Sequence, residues 1–349
     1  MRRIASLTLL IGILVGLNTL HTSVTLAQGT PIPNPVRNVQ PITPANASQL
    51  KNLAILYIPD PISALRWSPD SNLLALCCWQ GMDLIAIDKI GSGHALQPIK
   101  TPGYNPDSMA FSPDGSTLAL GTAEGTVLFM NLNTNKISSK LENLPAISDI
   151  AFGGGSSLLG YSSDDGEVAV LWDLKAGREL AKFNTKLDHS PLIALNATGT
   201  LFAYSDFDHS NLVHIWNIET HKEQALLDLG HEVEFNSLAF SPDGTLLETA
   251  EGSGAVNIWD AQTGQNVKGL FPGTPLEVVT AAGFSMDGTL VAGAADAHSV
   301  VIFDMKTNQQ LVELKGHKTS VTSIAFSPDG KLMVSGDQDG KLWFWGIKQ

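Results

Sequence analysis

Short, mainly hydrophobic runs recur along most of the chain, and polar turn residues separate them. Near the C-terminus three such runs occupy residues 324–326, 332–336 and 341–345. Ser-Pro-Asp-Gly (327–330) and Asp-Gly (339–340) separate them. In these turns Pro fixes φ, Asp bonds its own backbone and Gly takes a positive φ, so each turn closes a hairpin. The pattern therefore predicts three short antiparallel strands.

This unit recurs every 41 to 45 residues. The residue just before its first turn is aromatic in six copies and leucine in one, at Trp67, Phe111, Phe152, Leu195, Phe240, Phe284 and Phe326. In the third and fourth copies the turn changes to residues 153–155 (Gly-Gly-Gly) and 196–199 (Asn-Ala-Thr-Gly), which still form turns. A period of about 40–45 residues is typical of four-stranded propeller blades. The repeat predicts an all-β, seven-bladed β-propeller of antiparallel blades over residues 47–349.

The last copy ends at residue 349, directly after its third strand. Residues 49–57, before the first copy, have the character of a strand and no place in any unit. We therefore expect the N-terminal strand to close the last blade. Such closure hides strand edges that would otherwise pair with other chains.

Two dipeptides recur at the same spacing. Trp-Asp or a related pair ends the third strand at 172–173, 216–217, 259–260, 303–304 and 345–346, and Gly-His precedes a first strand at 230–231 and 316–317. With both dipeptides, the chain resembles the WD40-repeat β-propellers. The resemblance implies a buried hydrogen-bonded tetrad that locks a blade. The last unit offers His317, Ser335, Asp339 and Trp345 for it, and the fifth unit keeps His231 and Trp259.

The N-terminal 46 residues differ from the repeats. Residues 1–27 have two arginines, an apolar run of about 14 residues and a polar end at Ala27, which is the layout of a secretory signal peptide. We expect cleavage before Gln28 and a secreted or periplasmic protein that is not inserted in a membrane. The alternative is a chain tethered to the membrane by the uncleaved segment. Residues 28–46 contain five prolines and are predicted to be an extended linker.

The charge balance restricts the classes of partner. The formal net charge is −13, whereas binding to nucleic acid or anionic lipid needs a basic surface. The adjacent Cys77 and Cys78 point to opposite faces of a predicted strand, so we interpret them as buried thiols rather than a metal site.

Two segments resemble metal-binding motifs but lack residues that those motifs need. Residues 231–235 (His-Glu-Val-Glu-Phe) begin like a zinc-protease helix but lack the second His, and residues 337–340 (Asp-Gln-Asp-Gly) begin like a calcium loop that stops short. The sequence shows no nucleophile elbow. We expect no catalysis, no cofactor and no resident metal.

Acidic residues concentrate on one predicted rim of the propeller, where the loops between blades meet the loops between second and third strands. We call this end the top rim and the opposite end the bottom rim. The candidate partner-binding face on the top rim consists of Asp188, His189, Asp206, Asp208, His209, Glu232 and Glu234. These residues are either solvated loop acids, a surface for a cationic protein segment, or a site for a divalent ion.

A propeller offers a broad, preformed surface, so the resemblance favours a non-catalytic, exported, monomeric scaffold that binds a partner protein. One alternative is a module that binds a small molecule or a divalent ion in the central channel or at the Asp/His cluster of the fourth unit. A hydrolase or lyase that uses the channel is a further alternative.

Overall fold

Seven antiparallel sheets follow one another along the chain, and the predicted seven-bladed β-propeller is confirmed. The computed structural model describes residues 34–78, 81–92, 94–185, 190–206, 212–229, 235–252, 254–270, 279–295 and 298–349. Before the blades, the described residues form two strands, β1 (Val39–Gln40) and β2 (Lys51–Tyr57), with a 3-10 turn at Ala47–Gln49 between them.

Six blades each contain four strands in sequence order, from the channel outwards. The first three consist of β3 (Ile62–Trp67), β4 (Leu73–Cys78), β5 (Gly81–Ala86) and β6 (Leu96–Pro98), with a 3-10 turn at Ile87–Lys89; β7 (Pro106–Phe111), β8 (Thr117–Thr122), β9 (Val127–Asn131) and β10 (Lys136–Leu141); and β11 (Ile147–Gly153), β12 (Leu158–Ser163), β13 (Val168–Asp173) and β14 (Arg178–Asn184).

The next three blades repeat this order. They consist of β15 (Ile193–Leu195), β16 (Leu201–Asp206), β17 (Leu212–Asn217) and β18 (Lys222–Asp228); β19 (Phe235–Phe240), β20 (Leu246–Glu251), β21 (Val256–Asp260) and β22 (Asn266–Leu270); and β23 (Ala282–Phe284), β24 (Leu290–Ala295), β25 (Ser299–Asp304) and β26 (Gln310–Lys315).

The seventh blade is closed by the N-terminal strand, as predicted. It consists of β27 (Val321–Phe326), β28 (Leu332–Asp337) and β29 (Lys341–Lys348), and β2 pairs antiparallel with β29 from Lys51–Gly346 to Tyr57–Lys341. The short β1 also pairs with β29, beyond the end of β2. Strands that precede the first blade and the last strand of the seventh blade thus meet in one sheet, so the ring closes through backbone hydrogen bonds.

The described part of the predicted linker, residues 34–46, lies against the propeller rather than extending away from it. Val36, Val39 and Ile42 are buried in the hydrophobic clusters on either side of the seventh blade. The Ile42 N–H donates to the Gly330 carbonyl at 2.8 Å. The apolar residues between the prolines give this segment a hydrophobic face that packs on the propeller. The proline content alone does not predict that face.

The core consists of seven clusters of buried side chains within the described residues, and each cluster lies between two adjacent blades. Phe202 and Phe344 are among the largest side chains that are fully buried. Burying one such side chain contributes about 1.5–3 kcal/mol. Cys77 and Cys78 in β4 are both free and buried, and burial raises the pKa of Cys78 to about 12, so neither behaves as a reactive thiol.

A hydrogen-bond scheme that repeats in five blades builds the bottom rim from the Ser-x-Asp turns. In the fifth blade the Ser241 hydroxyl donates to Asp243 at 2.6 Å and accepts from the Leu246 N–H at 2.9 Å. The hydrogen bond from Ser241 lowers the pKa of Asp243, so this acid stays ionised. The same pairs recur at 68–70, 112–114, 285–287 and 327–329. These acids stabilise turns.

Candidate functional site

The seventh blade contains a continuous chain of buried hydrogen bonds. The Trp345 indole N–H donates to Ser335 Oγ at 2.8 Å, and Ser335 Oγ lies 2.7 Å from His317 Nε2. His317 Nδ1 lies 2.7 Å from an Asp337 oxygen. Burial lowers the pKa of His317, although the Asp337 carboxylate opposes that shift. A neutral imidazole therefore donates from Nδ1 to Asp337 and accepts the Ser335 hydroxyl proton at Nε2.

The acid of this tetrad is Asp337, whereas the sequence predicted Asp339. Asp337 ends β28, and its side chain is wholly buried beside His317. Its other oxygen accepts the N–H groups of Asp339 and Lys341, at 3.0 and 2.9 Å, so the same carboxylate also builds the turn. Asp339 itself is 44% exposed and pairs with the Lys341 ammonium at 3.0 Å.

The fifth blade repeats part of the tetrad. Trp259 Nε1 donates to Thr249 Oγ1 at 2.9 Å, where Thr249 has the place of Ser335. Glu251 ends its strand at the position of Asp337 and accepts a hydrogen bond from Asn257. The predicted His231 lies outside the described residues. The seventh-blade tetrad and the Trp259–Thr249 pair are structural, because their polar atoms are buried and paired.

Of the seven residues predicted to form the partner-binding face, only Asp206 is described. Asp188, His189, Asp208, His209, Glu232 and Glu234 lie outside the described residues. Asp206 ends β16, and one of its oxygens lies 3.4 Å from Nε2 of His214, whose Nδ1 is 2.7 Å from Glu223. His214 stacks on Tyr204 with ring centroids 4.9 Å apart. Sequence reasoning missed His214, which lies mid-strand and carries no motif.

No group of three His, Cys, Asp or Glu side chains within the described ranges has a geometry that could hold a metal ion. Likewise, no described helix has the length and apolar character needed to span a membrane.

Exposed carboxylates do cluster on the top rim of the second and third blades. We call Asp107, Glu124, Asp164, Asp165 and Glu167 the top patch; all five are exposed. Burial raises the pKa of Asp107, and the nearby charges of Asp164 and Glu124 raise it further. Glu124 is fixed by the Asn105 side chain, which donates to it at 2.8 Å. Within the top patch, Asp107, Glu124 and Asp164 thus lie close enough for their like charges to interact.

The axis of the propeller carries charged side chains that belong to no sequence motif. A channel cavity of about 300 Å³ is lined by Arg66, Asp107 and Asp149 together with small polar and apolar residues. Behind it, Glu248 is wholly buried, and its Oε1 accepts from the channel-lining Ser237 at 2.6 Å. Oε2 of Glu248 has no hydrogen-bond partner within the described structure. Burial raises the pKa of Glu248 to about 7, although the Ser237 hydrogen bond opposes the rise.

Arg66 and Glu248 can be found by comparing the residues at equivalent strand positions in the seven blades. The position of Glu248 is held by Ala75, Ala119, Gly160, Ala203, Ala292 and Val334 in the other blades, and that of Arg66 by Ala110, Ala151, Ala194, Ala239, Gly283 and Ala325. What distinguishes Arg66 and Glu248 is therefore an ionisable side chain at a position where the other blades have a small or apolar one.

Comparison with protein families agrees with this geometry. The model for "WD domain, G-beta repeat" matches residues 223–260 and 308–346, which contain the fifth-blade Thr249–Trp259 pair and the seventh-blade tetrad. These two stretches are WD40 repeats. Each match begins in or just before the outer strand of one blade and ends in the third strand of the next, so it spans one interface between blades.

Several curated WD-repeat proteins are similar to the chain. It is 24% identical over 242 residues to a "WD repeat-containing protein 91 homolog" of Dictyostelium discoideum, covering 68% of this chain and 26% of that protein. It is 30% identical over 200 residues to the "WD repeat-containing protein SL1-17" of Schistosoma mansoni, covering 54% and 60%.

A third relative covers more of both chains. The "Guanine nucleotide-binding protein subunit beta" of Zea mays is 24% identical over 303 residues, covering 81% of this chain and 68% of that protein. The chain thus spans about a quarter of the length of the Dictyostelium relative and 60% of the schistosome one. WD40 propellers generally act as platforms for protein interaction.

Proposed function

We propose that the chain is an exported, non-catalytic scaffold that binds a partner protein through the acidic top rim of its WD40 propeller. The observation that carries the proposal is the top patch. Four exposed carboxylates lie in the loops of two adjacent blades, and Asp107 lies beside them in β7. The repulsion between Asp107 and the charges of Asp164 and Glu124 is an unfavourable energy that a cationic partner relieves. Export rests on the predicted signal peptide of residues 1–27.

The frame beneath the top patch supports this function. The loops that bear the acids are fixed at both ends in hydrogen-bonded blades, so the surface is ordered before a partner arrives. A preformed surface loses little conformational entropy on binding. Complementary charge accelerates association and excludes partners of the same sign. The partner segment should therefore be rich in Lys or Arg.

The test is a comparison of two charge-reversal variants in a pull-down from the exported fraction of the native host. The first changes Glu124, Asp164 and Asp165 of the top patch to Lys. The matched control changes three exposed acids of the bottom rim, Asp88→Lys, Glu179→Lys and Glu219→Lys. Both variants alter the net charge equally.

A protein recovered with the wild type and the control, and lost with the top variant, supports the proposal. Retention by both variants, or loss with both, would contradict it, because binding would then not depend on the top patch. Recovery at 50 mM salt should also exceed recovery at 500 mM, since exposed charges are screened over about one Debye length.

A further inference from the structure

The channel of this propeller is lined by the first strands of all seven blades and encloses about 300 Å³. Most of its lining is small or uncharged, so the three ionisable side chains on it stand out. They belong to three consecutive blades: Arg66 to the first, Asp107 to the second and Asp149 to the third. Within the described lining, the ionisable side chains therefore belong to three adjacent blades.

The Arg66 side chain occupies space in the channel that the smaller residues of the other blades leave unfilled. The equivalent position is alanine in five blades and glycine in one, as the strand registers show. Its side chain is exposed to the channel, and its Nη1 donates to the Leu65 carbonyl at 3.0 Å. Within the described structure no carboxylate lies within ion-pair distance of it. The guanidinium thus keeps most of its five donors for another molecule.

The two carboxylates are held apart from Arg66. Asp149 accepts the N–H groups of Ile150 at 2.9 Å and Ile193 at 3.3 Å, which fixes its orientation. Burial raises the pKa of Asp149, and the charge of Arg66 lowers it, so the field of the guanidinium reaches this carboxylate without contact. Asp107 belongs to the top patch and also lines the cavity.

The register gives the direction of this charge separation. Arg66 lies level with Ala151, two residues further along the first strand than Asp149. At about 3.3 Å per residue, its Cα is about 7 Å deeper in the channel than that of Asp149. The backbone position of Asp149 is therefore nearer the top rim, and that of Arg66 is nearer the bottom rim.

We propose that this channel binds a small dipolar molecule that carries one carboxylate and one ammonium group, of the class of free amino acids. Its carboxylate pairs with the Arg66 guanidinium, which suits two parallel hydrogen bonds to a planar anion. Its ammonium lies nearer the top rim, between Asp107 and Asp149. This activity is separate from the binding of a partner protein through the outer loops.

The experiment is isothermal titration calorimetry on the full mature chain. The dipolar probes are glycine, 4-aminobutyrate and glycylglycine, which differ in the distance between their charges. Acetate and methylammonium carry one charge each. The variant Arg66→Ala restores the residue that five other blades have, so it should fold. Arg178→Ala, the same change at an exposed position of β14, is the matched control.

We expect at least one dipolar probe to bind the wild type and the Arg178→Ala protein with equal affinity. Arg66→Ala and Asp107→Asn should each weaken that binding tenfold or more, and the single-charge probes should bind at least tenfold less tightly than the dipolar one. The proposal is overturned if no dipolar probe binds the wild type at 10 mM, or if Arg66→Ala binds it as well as the control does. Melting curves of each variant confirm that it is folded.

Discussion

Glu248 makes the stability of the propeller depend on pH. It is a wholly buried carboxyl whose pKa is raised by burial from its ordinary 4.5 to about 7. No basic group accompanies it, and Oε2 lacks a hydrogen-bond partner within the described structure. When protonated, the carboxyl can donate to Ser237 Oγ, and the Ser237 hydroxyl is then free to donate to the Ala282 carbonyl of the sixth blade, 3.3 Å away.

The sign of the effect follows from proton linkage. Between pH 4.5 and 7 the folded state holds the Glu248 proton more tightly than the unfolded state does. Stability from this group is therefore complete below pH 4.5 and is lost as the pH rises through 7. At about 1.36 kcal/mol per pH unit, the loss is on the order of 3 kcal/mol at pH 8.

The variant Glu248→Gln removes the ionisation and keeps an oxygen that accepts from Ser237. We expect it to unfold with nearly the wild-type free energy at pH 5, and to be more stable than the wild type by on the order of 3 kcal/mol at pH 8. Urea denaturation at a series of pH values measures both. The control Glu167→Gln changes an exposed acid and should leave the profile unchanged.

The difference in unfolding free energy between wild type and Glu248→Gln is the decisive quantity, because every other titrating group cancels in it. If that difference is the same at pH 5 and pH 8, Glu248 does not titrate in this range. The explanation from burial would then be wrong.

Three further predictions concern the tetrad, the ring closure and the N-terminus. Asp337→Asn should lower the free energy of unfolding by roughly 1–3 kcal/mol and Asp339→Asn by less than about 0.5, measured by urea denaturation; equal effects would refute the assignment of the tetrad acid. Gly330→Ala should cost about 1 kcal/mol for its positive φ alone, whereas Gly340→Ala should cost clearly more, because its Cβ would lie 2.0 Å from the Ile58 carbonyl oxygen. N-terminal sequencing of the exported protein should find Gln28 first, and a chain that starts at Met1 in the membrane fraction would indicate a tether instead.

The blades were predictable because their signals are local. A Ser-Pro-Asp-Gly turn fixes the hairpin at 327–330 through its own side chains, and its recurrence counts the units without knowledge of the packing. Closure by β2 followed from counting strands. These features depend on residues close in sequence.

Which acid joins the tetrad depends instead on where strand β28 ends. Asp337 and Asp339 are two residues apart and equally suited by type, but Asp337 is the last residue of β28 and points inward, while Asp339 lies in the turn. The direction of a side chain at a strand end is set by the tertiary structure, which spacing does not report.

The channel residues were missed for a different reason. Arg66 and Glu248 belong to no motif, and each is notable only against the small or apolar residues at the same register in the other blades. The turns align the repeats from the sequence alone, whereas the inner strands can be compared only through their pairing in the sheets.

The central claim, that a partner protein binds the top rim, is tested most directly by photocrosslinking in the native host. A photoreactive amino acid replaces Ala123, exposed beside Glu124 on the top rim, or Ala176, exposed on the bottom rim. We expect Ala123 to give a crosslinked adduct with one exported protein and Ala176 to give none. An adduct from Ala176 alone would place the binding surface on the opposite rim and contradict the account.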